Sequence, residues 1–423
     1  MTGVQTCALP ISQFLSSPAA GLADTGQLAF NAALYSNLQA QAAAHPNTNI
    51  ILMDVYTFGL VATANPAAFG FTNVTQSCFN GVTVCSTPNT YFYWDGVHPT
   101  TAGHAMLAKL AMESIYYGDL GVGTGAEGEG AMQRRAQTFD SAMGRVQGRD
   151  LSGMGGGLSV TYERDDATTE ARGTMAETTS DSDTLRFNYE GNVSENFRLG
   201  GMFSANRSDV TTGAITFRAE TVAFDAYAGW RSGDFFVNAA GGMSFDSYKD
   251  IRRVTVTAPL VNEGNTQGKT YGAKVQAGWY FDMGGVTLSP RAAVGWTHNT
   301  VEGYAEDGLV VRQVIADRDI DATTGEVSLR LDVPFGDAWS LYGEAGYRDN
   351  LSYDGDPVTI SLAGNTALPL STSLEEPDGG LAMLDAGLKG RIGEHLEVGV
   401  GYRGRNGDNY ESNAGAITLK WRW

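Results

Sequence analysis

The chain has 423 residues, a formal net charge of −19 and only 18% charged residues. That length leaves room for two or three domains, while the acidic balance excludes a nucleic-acid-binding role, which wants a basic face. No apolar run reaches the roughly 18 residues that a transmembrane helix needs, and the five histidines are scattered without metal-ligand spacing, so neither a metal nor a cofactor is expected.

Residues 1–12 (MTGVQTCALPIS) have neither the basic start nor the apolar core of a secretory signal. They read as a non-native leader, and Cys7 is set aside with them. Residues 13–118 form the next unit. Phe30, Leu34 and Leu38 recur at helical spacing in an Ala/Gln-rich stretch that ends near Pro46. Ile50, Ile51, Leu52 and Met53 then make the short continuous apolar run of a strand buried on both faces. A loop over residues 63–90 holds Cys78 and Cys85, compatible with one small disulfide in an oxidising compartment or with two free thiols. Residues 101–117 read as a helix with Leu107, Leu110, Ala111 and Ile115 on one face and Lys109 and Glu113 opposite. Helix, buried strand, loop, helix is the tail of a parallel α/β domain. It is too small to close a core alone, and loose packing is expected around residues 50–53.

Just before that last helix runs Tyr93-Trp94-Asp95-Gly96-Val97-His98-Pro99-Thr100, followed by Thr101-Ala102-Gly103-His104. An Asp and a His three residues apart on a loop can point the same way. The carboxylate then holds the imidazole tautomer while the other ring nitrogen takes a proton from a nucleophilic hydroxyl. A bare D-x-x-H is common by chance, but the extended string ahead of an amphipathic helix is not. His104, in the first helical turn, reads as a surface or capping residue, and Asp54 as a turn or cap.

Residues 119–150 begin with a Gly/Glu-rich break and continue from Ala131 with helical character, carrying Arg134, Arg135, Arg145 and Arg149. The simple reading is a linker helix. The sharper one threads the helix through a lumen, its arginines meeting acidic groups.

Residues 151–423 carry the strongest pattern, an alternation of apolar and polar residues in about twelve segments. Leu185, Phe187 and Tyr189 interleave with Arg186, Asn188 and Glu190, and Ile417, Leu419, Trp421 and Trp423 with Thr418, Lys420 and Arg422. Successive side chains on a strand face opposite ways, so one face suits lipid and the other a wet lumen. Short turns at 192–196, 231–234, 282–285, 335–338 and 393–395 alternate with longer acidic stretches at 165–183, 249–269, 302–324 and 354–380. That is the rhythm of an outer-membrane β-barrel with an even strand number and both ends on the periplasmic side. A soluble sandwich would also alternate, but it has no need of Trp230, Trp279, Trp339, Trp421 and Trp423 near strand ends. Pro290 removes a ladder hydrogen bond and predicts a local irregularity.

The D-G-V-H-P-T-x-x-G-H string resembles the last conserved block of GDSL (SGNH) esterases and lipases. With the barrel behind it, the layout resembles the GDSL esterase autotransporters of Gram-negative bacteria. The resemblance implies a 12-stranded antiparallel autotransporter barrel preceded by the C-terminal remnant of an α/β SGNH-hydrolase domain, and it makes Asp95 and His98 the catalytic Asp and His. It implies no cofactor. Its expected partners are the outer-membrane bilayer, the barrel-assembly machinery acting on the last strand, and an acyl-ester substrate met at the cell surface. The family's nucleophilic serine lies in a GDSxS block, and a glycine and an asparagine from two middle blocks help to build its oxyanion hole. Ser12, Ser16 and Ser17 have no Gly-Asp-Ser context, and no Gly-x-Asn-Asp string occurs. Two functions follow: a surface ester hydrolase whose nucleophile lies outside this stretch, or a translocator barrel without catalysis of its own.

Overall fold

The computed structural model describes residues 2–6, 20–148, 156–257, 260–336, 338–377 and 380–423. Cys7, the serines at 12, 16 and 17, and Arg149 lie outside them. Ahead of the barrel, β1 (Thr2–Thr6) runs parallel to β2 (Asn49–Met53), with α1 (Ala20–Ala44) between them in sequence. The leader segment therefore contributes a strand. Leu34, Tyr35 and Leu38 turn inward from α1, whereas Phe30 is 56% exposed, so the apolar stripe starts one turn later than its spacing predicts.

The segment after β2 is a helix, α2 (Val55–Ala64), which its scattered β-branched residues and Gly59 concealed. Asp54 caps it, accepting from the Thr57 amide at 2.9 Å and the Thr57 hydroxyl at 2.6 Å. Burial of Val55, Tyr56, Phe58 and Ala62 outweighs the weak propensity. Single 3₁₀ turns at Pro66–Phe69 and Pro88–Thr90 punctuate the following loop. Next come α3 (Thr101–Ile115), α4 (Tyr117–Gly121), a 3₁₀ turn at Val122–Gly125 and α5 (Ala126–Arg145).

The remaining strands, in chain order, are β3 (Gly157–Thr169), β4 (Thr178–Ser194), β5 (Phe197–Thr212), β6 (Ile215–Ser232), β7 (Phe235–Val254) and β8 (Val261–Trp279). They continue with β9 (Phe281–Asp282), β10 (Thr287–Val301), β11 (Tyr304–Ala305), β12 (Gln313–Ile315), β13 (Arg318–Phe335) and β14 (Trp339–Gly355). The last are β15 (Val358–Leu362), β16 (Asn365–Thr372), β17 (Leu381–Ile392), β18 (Leu396–Asn406) and β19 (Tyr410–Arg422). Twelve of them close into an antiparallel barrel, with β19 returning to β3 and β10 pairing with β13. Closure leaves no unpaired strand edge, the condition for a sheet in hydrocarbon.

Burial is inverted relative to a water-soluble protein. Leu185, Phe187, Leu199, Phe224, Val294 and Leu419 are exposed, while Arg186, Asn188, Glu190, Arg198 and Asn238 are buried inside. At the short-turn end, Phe197 pairs with Trp230, Phe235 with Trp279 and Phe335 with Trp339, forming an aromatic ring around the wall. Towards the other end the outward positions turn charged: Arg164 meets Asp166, Asp181 and Asp183, and Arg218 meets Asp209 and Asp250. Much of the acidic stretches expected as loops is thus strand, continued past the apolar band. Hydrogen-bonded pairing does not require an apolar outer face.

Two connectors at that end, 213–214 and 407–409, are as short as turns. Pro290 keeps register with Leu329 on β13, while the ladder from β10 to β8 begins only at Arg291. The irregularity therefore falls on the neighbouring strand, broken at Tyr280 between β8 and β9.

α5 lies inside the barrel. Phe139, Ala142, Met143 and Val146 pack on Met202, Tyr227 and Ala240 of the wall. Arg134 reaches Asp246 at 3.2 Å, Arg135 pairs with Asp225, and Arg145 is 3.4 Å from Glu190. On the other side Asp140 meets Lys274 at 2.9 Å, Arg348 at 2.7 Å and Arg405 at 3.0 Å. The Gly-rich stretch before it is helical and buried rather than a loose linker. A Cβ on Gly121 would lie 2.2 Å from Gln313 Oε1, and one on Gly128 would lie 2.7 Å from Ile320 Cδ1. These glycines let the chain pass close to the side chains that line that mouth.

The expected loose packing around residues 50–53 does not occur. Ile51, Leu52 and Met53 are buried, and their neighbours include Val310, Ile315, Val358, Ile360 and Leu368 from the segments beyond the barrel wall. The α/β unit closes its core on segments that extend from the barrel. Glu113, expected to face solvent, is fully buried in that contact. Its carboxylate accepts from Arg253 at 2.9 Å, from the amides of Val256 and Thr257 at 2.9 and 3.0 Å, and from the Thr257 hydroxyl at 2.7 Å. A charge so placed needs all of these partners to offset its desolvation.

Candidate active site

Asp95 and His98 are brought together by the turn that contains them. One Asp95 carboxylate oxygen accepts the amides of Val97 and His98 at 2.8 and 2.7 Å, closing an Asx turn. The other accepts the His98 Nδ1–H at 2.8 Å. The amide donors, the His98 N–H first, and then the imidazole hold the Asp95 carboxyl down at about 2. It is therefore ionised across the range in which histidine titrates. With Nδ1 engaged, Nε2 points away on a ring whose side chain is 72% exposed. Among the described residues no serine hydroxyl is hydrogen-bonded to His98.

The surrounding motif residues place this turn. Trp94 donates its amide to the His98 carbonyl at 2.7 Å. Thr100 caps α3, accepting from the Gly103 amide at 3.0 Å and donating to the Tyr91 carbonyl at 2.6 Å. A Cβ on Gly103 would meet the Phe92 carbonyl at 2.5 Å, so the glycine lets α3 start against the preceding segment. His104 is exposed and its Nδ1 contacts the Thr100 carbonyl at 3.0 Å. Tyr93, behind the turn, is buried, which pushes its hydroxyl up to about 12. Cys78 and Cys85 are joined in a disulfide.

Sequence reasoning missed Glu113 and Arg253, which hold α3 and so the turn at its N-terminus. Glu113 sits off the apolar stripe, and its partner lies 140 residues away, so no local signal marks it.

A closed, helix-plugged barrel with a lipid-facing exterior defines an outer-membrane protein. The chain belongs to the family of the Autotransporter beta-domain, whose profile matches residues 157–403. The GDSL-like Lipase/Acylhydrolase profile matches residues 6–111, the unit that carries Asp95 and His98. Esterase EstA of Pseudomonas aeruginosa is 21% identical over 420 residues, which cover 92% of this chain and 63% of that protein. A GDSL esterase/lipase of Arabidopsis thaliana is 32% identical over 100 residues, 20% of this chain and 25% of that protein. The translocator domain of autotransporter NalP from Neisseria meningitidis matches the fold with a TM-score of 0.60 at 15% identity, covering 70% of this chain and 99% of that one. The chain thus spans less than two thirds of the EstA relatives' length.

Proposed function

We propose that this chain is the membrane anchor and C-terminal portion of a serine ester hydrolase displayed at the cell surface. Residues 151–423 are the translocator-barrel unit, 119–150 the segment leading into it, 13–118 the final part of the esterase passenger, and 1–12 a leader whose β1 pairs with β2 of that passenger. The single observation that carries the reading is the Asp95–His98 pair, its Nδ1 bond leaving Nε2 open. In a chain with the nucleophile upstream, Nε2 takes the serine proton as the hydroxyl oxygen attacks the ester carbonyl. The same proton then goes to the departing alkoxide, and water resolves the acyl-enzyme by the same route. Asp95 holds the tautomer and balances the imidazolium. The substrate is an acyl ester outside the bilayer, and β19 is the segment offered to the barrel-assembly machinery.

A chromogenic acyl ester given to cells that display the nucleophile-bearing parent tests this. His98→Ala should cut turnover by about a thousandfold or more, with the barrel still folded; unchanged turnover rejects the assigned role. A second reading, a translocator without catalysis, is favoured by the lack of a serine hydroxyl on His98 among the described residues. A parent whose upstream sequence carries no Gly-Asp-Ser block would establish it.

A further inference from the structure

No charged residue lies between Asp54 and Asp95, in a chain where 18% of residues are charged. Within that tract residues 78–85 are folded back and clamped by the Cys78–Cys85 disulfide. Phe79 bridges to Val84 on one side, and its amide reaches the Trp94 carbonyl at 2.6 Å on the other. Trp94 in turn is hydrogen-bonded to His98. Val84, Phe79, Trp94 and His98 therefore sit on successive rungs, each about 5 Å from the next.

The Phe79 and Trp94 rings stack at 5.6 Å with 16° between planes, and both are half-buried. Val82 at the tip is 87% exposed, and Val84 and Val97 are also exposed. A loop held by a covalent bond, with no charged side chain of its own and with exposed Val82 and Val84 beyond the stacked rings, keeps that apolar surface in water at a cost that an alkyl ligand relieves. The absence of charge leaves a nucleic acid or a charged peptide nothing to pair with.

We propose that the disulfide-clamped hairpin at residues 78–85, with Phe79 stacked on Trp94, is the subsite that holds the hydrocarbon chain of the ester processed at His98. This rests on the reading of Asp95 and His98 as an ester-hydrolase pair. Phe79 and Trp94 form the floor nearest the imidazole, and Val84 and Val82 extend it outward, so longer chains gain contact rung by rung.

The full chain in lipid nanodiscs, probed with a photoreactive palmitate, tests the subsite without requiring turnover. Expected are crosslinks on Phe79, Val82, Val84 or Trp94 that unlabelled palmitate competes away. They should fall about tenfold in Val82→Asn/Val84→Asn and return in Val82→Leu/Val84→Leu. The heat-modifiable barrel band and the intact disulfide verify folding in each variant. Crosslinks confined to outward barrel residues such as Phe224 and Leu419, crosslinks indifferent to the asparagine pair, or crosslinks between two copies of the hairpin would each overturn the proposal. Failure here with hydrolysis still dependent on His98 rejects the subsite alone. Palmitate capture with hydrolysis indifferent to His98→Ala rejects the esterase reading instead.

Discussion

At the scale of single residues, Glu113 shows how a charge can be worth more as a clasp than as a surface group. Its carboxylate gathers Arg253, two amides and a hydroxyl from the segment after β7, and Arg253 is itself held by Glu306 at 2.7 Å through both of its other nitrogens. Glu113→Ala removes the acceptor and leaves the Val256 and Thr257 amides without their partner. Loss of one member of such a buried set costs about 3 kcal/mol. The expected outcome is a passenger unit that becomes susceptible to protease at lower urea concentration while the barrel's heat-modifiable band is unchanged. Wild-type protease resistance would show that apolar contact alone holds the dock. Asp95, half-exposed and satisfied by its own turn, is a contrasting case: all of its bonds are local and shape the loop and the imidazole.

At the scale of elements, α5 explains the composition around it. Its cations face Asp225, Asp246 and Glu190 on one side, and its lone central acid faces Lys274, Arg348 and Arg405 on the other, so rotation about its axis would put like charges together. The apolar strip of Phe139, Ala142 and Met143 seats it against one part of the wall, where Gly272 leaves room for the Phe139 ring. Opposite, between the helix and the wall from β13 round to β3, a cavity of about 240 Å³ remains, its lining including Glu163, Arg330 and Lys389. Glycine is tolerated near the start of this helix because contact demands it. Gly128→Val would drive a side chain into Ile320 Cδ1 at 2.7 Å and Asn299 Oδ1 at 2.9 Å. Overpacking of this kind costs about 1–3 kcal/mol, expected as a fall in the temperature at which the folded barrel band is lost. Gly144→Ala, with nothing within 4 Å of the added carbon, should hold or raise that temperature, since alanine is the better helix former. Equal effects of the two would refute the close-approach account.

At the scale of the whole molecule, stability is divided between two solvents. Val294, mid-strand on β10 and 53% exposed, faces lipid. Val294→Arg should cost about 2–4 kcal/mol when the barrel refolds into vesicles. Thr179→Arg, outward on the charged extension of β4, should be close to neutral. A negligible penalty at Val294 would place that face in water. The barrel was legible because each residue reports its own solvent: Phe187, Phe224 and Leu419 need only their position in the alternation to be read as outward. The Asp95–His98 turn was legible for a related reason, since the bonds of the Asp95 carboxylate itself all fall within three residues. What the chain order could not reveal is the dock. Glu113 and Arg253, and Ile51 with Ile360, meet only once the barrel has closed and carried the outer segments over the α/β unit. The glycines of 121–128 look like a flexible linker until the narrow mouth they pass through exists. Local spacing by itself marked the alternating barrel strands and the Asp95–His98 turn, because alternation and turn chemistry act between near neighbours. Tertiary structure alone decided which charge is buried and which core completes another, because burial depends on surfaces the chain brings together from far apart.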